Sequence, residues 1–184
     1  MYELPAVMTL SRRSGESQEF LIRQCTDTDI FRVMRLQRDI CEAIGDPGIY
    51  SLVDEEEVLE SLKLDHCFGA FADGRLAGFT MMIDNRISHR NYGTYLDYPP
   101  ERQKTCVSME ISIVDDEFRG FGLQKLFVRL REDAAARLGA EEALVTIGPD
   151  NKYSLANLQA SGYEIVCTKP LYEGAMRHIL RKQF

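Results

Sequence analysis

Arg119-Gly120-Phe121-Gly122-Leu123-Gln124 stand between an apolar, strand-like run (107–114) and a strongly amphipathic stretch that begins near Phe121. A glycine-rich turn opening a helix presents several unpaired backbone N–H groups and the positive end of the helix dipole, a cradle for phosphate. The Walker spacing of two glycines followed by Lys-Ser/Thr is absent. A dinucleotide turn would need a third glycine at Lys125, and would set its first glycine almost at the strand end, whereas residues 115–119 intervene here. The neighbouring pair His66-Cys67 invites a metal or nucleophile reading, but no Cys or His spacing elsewhere completes such a site, so no metal is expected. His89 falls in a long loop where it could touch a substrate, and His178 in a terminal strand where it reads as structural.

Composition narrows the partners. The chain has 184 residues, enough for one domain spanning 1–184, with residues 1–18 read as an arm or an extra edge strand. Twenty-two basic against 29 acidic side chains give a net charge of −7, which argues against a general binder of nucleic acid or anionic membrane. No apolar run approaches the ~20 residues needed to span a bilayer. The short apolar stretch before Arg12 and Arg13 is the reverse of a secretion signal. Five scattered cysteines without a Cys-x-x-Cys read as reduced core residues of a cytoplasmic protein.

The elements that must position the turn follow from periodicity. A short strand (20–25) precedes a helix opened by Thr26 and Asp29, whose Val33, Leu36, Ile40 and Ile44 recur at helical spacing until Gly45, Pro47 and Gly48. Asp54 and Glu57 open a second helix; the acidic run 54–57 matches charge to the helix dipole. Strands 67–72 and 76–83 flank the turn signal Asp73-Gly74. The aperiodic stretch 85–104, with Tyr92, Tyr95 and Tyr98, reads as a lid, as loop glued to the sheet, or as poorly ordered. Leu123, Leu126, Phe127, Leu130, Ala134 and Leu138 make one stripe of a long helix (121–138). A strand (143–147), a short helix after Asp150 or Asn151, and strands 163–168 and 176–180 about a turn at Glu173-Gly174 complete the order.

Val114, Glu117, Phe118, Arg119 and Gly122 resemble the acetyl-CoA signature of the GNAT superfamily of acyl-CoA N-acyltransferases, Arg/Gln-x-x-Gly-x-Gly/Ala after a strand ending in valine. Gln124 replaces the final small residue. The segment 151–163 resembles a second superfamily motif, Asn-x-x-Ala-x-x-Phe-Tyr-x-x-x-Gly-Phe, with Asn151, Gly162 and Tyr163 in register and Ser154 at the small position. The resemblance implies an α/β (α+β) GNAT fold. Its sheet is mixed and mostly antiparallel, is flanked by helices, and has two central parallel strands that splay apart.

By the same resemblance, the pyrophosphate of CoA rests on the backbone of Arg119, Gly120, Phe121, Gly122, Leu123 and Gln124. Pantetheine pairs with Ser112, Ile113 and Val114, and Asn151 and Ser154 face it from the other wall; plain helix capping is the simpler role for Asn151. A primary amine of a small molecule or peptide then attacks the thioester directly. A backbone N–H near Ile113 or Val114 serves the oxyanion. The general base expected here is Glu110, which by strand alternation shares a face with Ser112 and Val114 at roughly 6.6 Å from Ser112; the competing role is a carboxylate paired with Arg or Lys. The usual acid, a tyrosine, falls on Leu158, leaving Tyr153 or Ser154 to substitute. Leu158 also keeps open a non-catalytic acyl-CoA-binding sensor or partner module, and an O-acyltransferase is a third reading. The partners implied are acetyl-CoA or CoA and an amine acceptor; monomer and homodimer both stay open.

Overall fold

The computed structural model describes residues 3–46, 49–50, 52–172 and 174–184. Pro47, Gly48 and Glu173, expected in turns, lie outside the described residues. Eight strands form one sheet: β1 (Ala6–Ser11), β2 (Ser17–Gln24), β3 (His66–Ala72), β4 (Arg75–Asp84), β5 (Cys106–Val114), β6 (Glu142–Ile147), β7 (Glu164–Leu171) and β8 (Ala175–Gln183). Their order is β1-β2-β3-β4-β5-β6-β8-β7, and β5–β6 is the parallel pair in an otherwise antiparallel sheet. The α/β class and the splayed parallel pair expected from the sequence are therefore present. Part of the stretch 1–18 forms β1, an edge strand whose burial alternates along its length.

Helices cover both faces. α1 (Ile30–Ile44) and α2 (Glu55–Leu64) pack on one, where Val33, Leu36, Ile40, Val58 and Leu62 meet Phe79, Met81, Ile83, Ile111 and Ile113. On the other lie α4 (Leu123–Arg137) and α5 (Lys152–Ala160), where Leu123, Phe127, Leu130 and Leu158 meet Met82, Met109, Val114 and Val145. Strands buried on both faces read as near-continuous apolar runs, as β3 and β4 do. Phe127, fully buried, presses on Gly78, where an added Cβ would lie 2.9 Å from its ring. That close approach sets how near α4 comes to the sheet, and so where its N-terminus stands.

The stretch 85–104 is held to the sheet. It forms a 3-10 turn (Tyr92–Leu96) and α3 (Pro100–Gln103). Asn85 Nδ2 donates to Asn91 Oδ1 (2.9 Å), Ser108 Oγ donates to Asn85 Oδ1 (2.9 Å), and the Tyr92 N–H donates to Ser108 Oγ (3.0 Å). Tyr98 acts as glue: Arg102 stacks 3.7 Å from its ring and reaches Glu142.

Candidate active site

Parallel pairing between β5 and β6 ends at Met109↔Val145, and the strands part beyond it. The opening is a cleft of about 820 Å³ reaching from Gln124, Asn151 and Ser154 to Glu110, Tyr92 and Tyr172. β5 is itself irregular here. Thr80 pairs with Ser112 and Met82 with Met109, so Glu110 and Ile111 together oppose Met81 in a β-bulge. The bulge corrects the expectation from alternation. Ser112 points to α4, whereas Glu110 emerges on the α2 side beside Arg90. One inserted residue flips every side chain beyond it to the other face.

The Asp115 N–H donates to the Ala77 carbonyl (3.0 Å), so alternation turns the backbone of Ile113 towards β4 and that of Ser112 and Val114 towards the free edge. Ile113 is thus corrected from an edge partner to a core residue under the first pair of helices.

The turn before α4 takes a backbone path that only glycine adopts readily at two positions. Gly120 and Gly122 both sit in the left-handed region, at φ 87° and 83°, which delays α4 to Leu123 instead of the expected Phe121. A Cβ built on Gly122 meets no atom within 4 Å, so a side chain there would project into open space. Phe121 and Leu123 bury their side chains in the core and offer only backbone. The Arg119 side chain pairs with Asp116 at 2.6 Å, leaving its backbone to the turn.

Arg12, from the β1–β2 hairpin, clasps this turn from outside. Its Nε donates to the Arg119 carbonyl (3.0 Å), its Nη2 donates to the Glu117 carbonyl, and its guanidinium lies 4.4 Å from the centre of the Phe121 ring. Periodicity gave no sign of this role, because the contact spans more than a hundred residues.

Gln124 turns in towards β5. Its Nε2 donates to the Ser112 carbonyl (3.1 Å) and its Oε1 accepts from Ser112 Oγ (2.7 Å). Across the cleft, Asn151 Oδ1 accepts from the Ser154 N–H (3.2 Å), the capping role, while both residues line the opening. Leu158 is buried behind them. Tyr153 is 91% exposed and lies outside the cleft, which corrects the expectation that it could donate to a leaving group. Three residues after Asn151 the inward face is already taken by Ser154, and Tyr153 falls on the outward one.

Glu110 stands in a crowded electrostatic setting. Its Oε2 is 3.2 Å from Arg90 Nη1, and Arg90 also faces Asp65 (3.5 Å), Glu57 (3.9 Å) and Glu60 (3.9 Å) and donates to Ser61 Oγ. Burial raises the Glu110 carboxyl to about 7; Arg90 pulls the other way, and Glu57 and Asp65 add to the rise. Of the two roles weighed for Glu110, the structure shows the pairing with an arginine. Beyond it, Tyr95 stacks on Tyr92 with centroids 5.5 Å apart and meets Tyr172 edge-on at 6.0 Å, and Tyr172 Oη lies 2.9 Å from Thr146 Oγ1. Tyr50 and His89 complete this wall. His66, pushed down by burial, and His178, whose Nδ1 is 2.7 Å from Thr168 Oγ1, lie outside it.

Arg131 was not singled out by its spacing, yet it lines the cleft on the same face of α4 as Gln124 and Val128. It is 3% exposed, and burial pushes its pKa down from the usual guanidinium value. The available signal was a single cation at the period of an apolar stripe, four residues after Phe127.

No protein-family model matches the chain, and no curated protein matches its sequence. Solved structures do. The PaiA N-acetyltransferase from Thermoplasma acidophilum, determined in complex with coenzyme A, aligns at TM-score 0.66 and 15% identity over 90% of this chain and 99% of that one. An acetyltransferase of the GNAT family from Streptococcus pneumoniae aligns at 0.68 and 16% over 90% and 99%. The ribosomal-protein-alanine N-acetyltransferase from Brucella melitensis aligns at 0.70 and 18% over 89% and 99%. At these identities the likeness is one of fold.

Proposed function

The chain has the GNAT fold, and we propose that it is an acyl-CoA-dependent N-acyltransferase, moving an acetyl or other short acyl group to a primary amine of a small molecule or peptide. One observation carries this reading: Gln124 at the end of the glycine turn, Ser112 on the free edge of β5 and the Glu110 carboxylate line a single cleft. A turn of backbone donors suits a pyrophosphate, and a strand edge without a partner suits an extended arm bearing amides. The backbone of Arg119, Gly120, Phe121, Gly122, Leu123 and Gln124 would hold the first, and Ser112 and Val114 the second, with Asn151 and Ser154 opposite. CoA, when bound, supplies an acyl group activated as a thioester.

The residues then divide the work. Glu110 takes the proton that an incoming ammonium must lose, directly or through water; a pKa of about 7 suits a base at neutral pH. Nitrogen then bonds to the acyl carbon, the carbon–sulfur bond breaks, and the electron pair leaves on sulfur. An N–H on the free edge, at Ser112 or Val114, donates to the oxygen that gains charge. With Leu158 in place of a tyrosine the thiolate leaves without a dedicated acid, which a thiol of pKa ~8.5 tolerates. Glu57 and Glu110 with the tyrosines suit a cationic amine as acceptor. The five cysteines, all unpaired, favour a cytoplasmic setting. Among the described residues no helix is long and apolar enough to cross a membrane.

A second reading, a non-catalytic acyl-CoA-binding module, is favoured by Leu158 alone. Incubation with acetyl-CoA and a broad panel of amines, following free thiol, separates the two. Amine-dependent thiol release supports the enzyme. Release at the buffer rate, with acetyl-CoA still raising the melting temperature, supports the module.

A further inference from the structure

Three arginines line the cleft, and one of them is unlike the other two. Arg90 is ringed by carboxylates. Arg177 lies over the Tyr172 ring at 5.6 Å. Arg131 has no ion-pair partner among the described residues, and its one hydrogen bond runs from Nε to the Phe127 carbonyl of its own helix, at 3.4 Å. The nearest acid along α4, Glu132, is held by Lys182 at 2.8 Å. An arginine that is 3% exposed and has no ion pair of its own is costly, and a leucine or methionine would fill the same place without that penalty. A site open to the cleft relieves the cost if a ligand brings the anion.

Position along the cleft says which ligand atom that is. Gln124 and Ser112 touch, fixing α4 and β5 side by side at that level. Seven residues on, Arg131 lies roughly 10.5 Å further down the helix. Three residues back along β5, Met109 lies roughly 10 Å from Ser112 in the same sense. Arg131 therefore stands level with Met109↔Val145, the pair that closes the floor of the splay. A chain entering at the glycine turn and following β5 past Ser112 ends there. The carboxylates facing the acceptor wall lie on the α2 side, so Arg131 belongs to the donor side of the cleft.

We propose that the preferred donor carries a short acyl chain ending in a carboxylate, of the malonyl or succinyl class, which Arg131 binds at the floor of the cleft. The inference rests on the acyl-CoA reading above and narrows its donor. A guanidinium presents two parallel donors that match a carboxylate, and it gives a methyl group no comparable contact.

Titration calorimetry on the full chain tests this with four probes: free CoA, acetyl-CoA, butyryl-CoA and succinyl-CoA. Butyryl matches succinyl in length but ends in a methyl group. The expected result is succinyl-CoA binding about tenfold or more tighter than butyryl-CoA. Arg131→Met should erase that difference while leaving free CoA unchanged, and Arg131→Lys should keep part of it. Equal binding of the two acyl forms by the unmodified protein overturns the proposal, and so does a preference that survives Arg131→Met. If the methionine variant does not fold, the unmodified protein's succinyl-to-butyryl ratio still decides. Failure of free CoA to bind defeats the acyl-CoA reading itself and this inference with it, whereas CoA binding without a carboxylate preference defeats only the inference.

Discussion

Glu110 Oε2 lies 3.2 Å from Arg90 Nη1, inside a bulge that turns the carboxylate away from the face of Ser112. The pair makes a base whose strength is set by two opposed causes, burial raising the carboxyl and Arg90 lowering it, with the balance at about 7. Because a base works deprotonated, turnover should rise with pH through about 7. Glu110→Gln should lower turnover by about 10²–10⁴-fold at neutral pH and by less at high pH, where the amine deprotonates unaided. Arg90→Met removes the cation that favours the charged carboxylate, so the rising limb should move to higher pH. A profile unmoved by either change removes Glu110 from the role.

Gln124 occupies the Ser112 carbonyl that the strand edge would otherwise offer to a ligand amide. Gln124→Ala frees it, and one hydrogen bond of competition is worth about 1 kcal/mol, so CoA should bind about fivefold tighter. Calorimetry reads this directly. Weaker binding by the variant would mean that the carboxamide contacts the ligand instead of competing with it.

Arg12 ties the β1–β2 hairpin to the glycine turn by two carbonyl contacts and a ring contact. Its side chain is 28% exposed, so solvent discounts the loss on Arg12→Ala to about 1 kcal/mol. Acetyl-CoA affinity should fall roughly three- to tenfold through a less ordered turn, with free-thiol release at saturating acetyl-CoA unchanged. An unaltered affinity would make the clasp a packing contact only.

How much of this was legible in the sequence depends on the range of the forces involved. The glycine turn, the stripe of α4 and the Asp73-Gly74 hairpin were readable because their causes are local: backbone conformation, the helical period and turn chemistry. The faces of Glu110 and Ser112 were misread because strand alternation assumes no bulge, and the bulge arises from pairing with β4, thirty residues away in sequence. Tyr153 was expected near the reaction because it sits in the right helix, yet a helix has an outward face and Tyr153 is on it. Arg12 and Arg131 escaped notice for a related reason. A single arginine has no period, and only the fold reveals that one grips a distant turn and the other is buried with no ion pair among the described residues.

The most direct test is titration of CoA into the unmodified protein and into Gly122→Trp. Gly122 has φ 83° and open space where a side chain would project, so tryptophan there would block the turn while leaving the core untouched. Saturable one-to-one binding by the unmodified protein, abolished in the variant while its melting transition stays cooperative, is the expected result. No binding by the unmodified protein, or equal binding by both, would contradict the assignment of this turn as the seat of CoA.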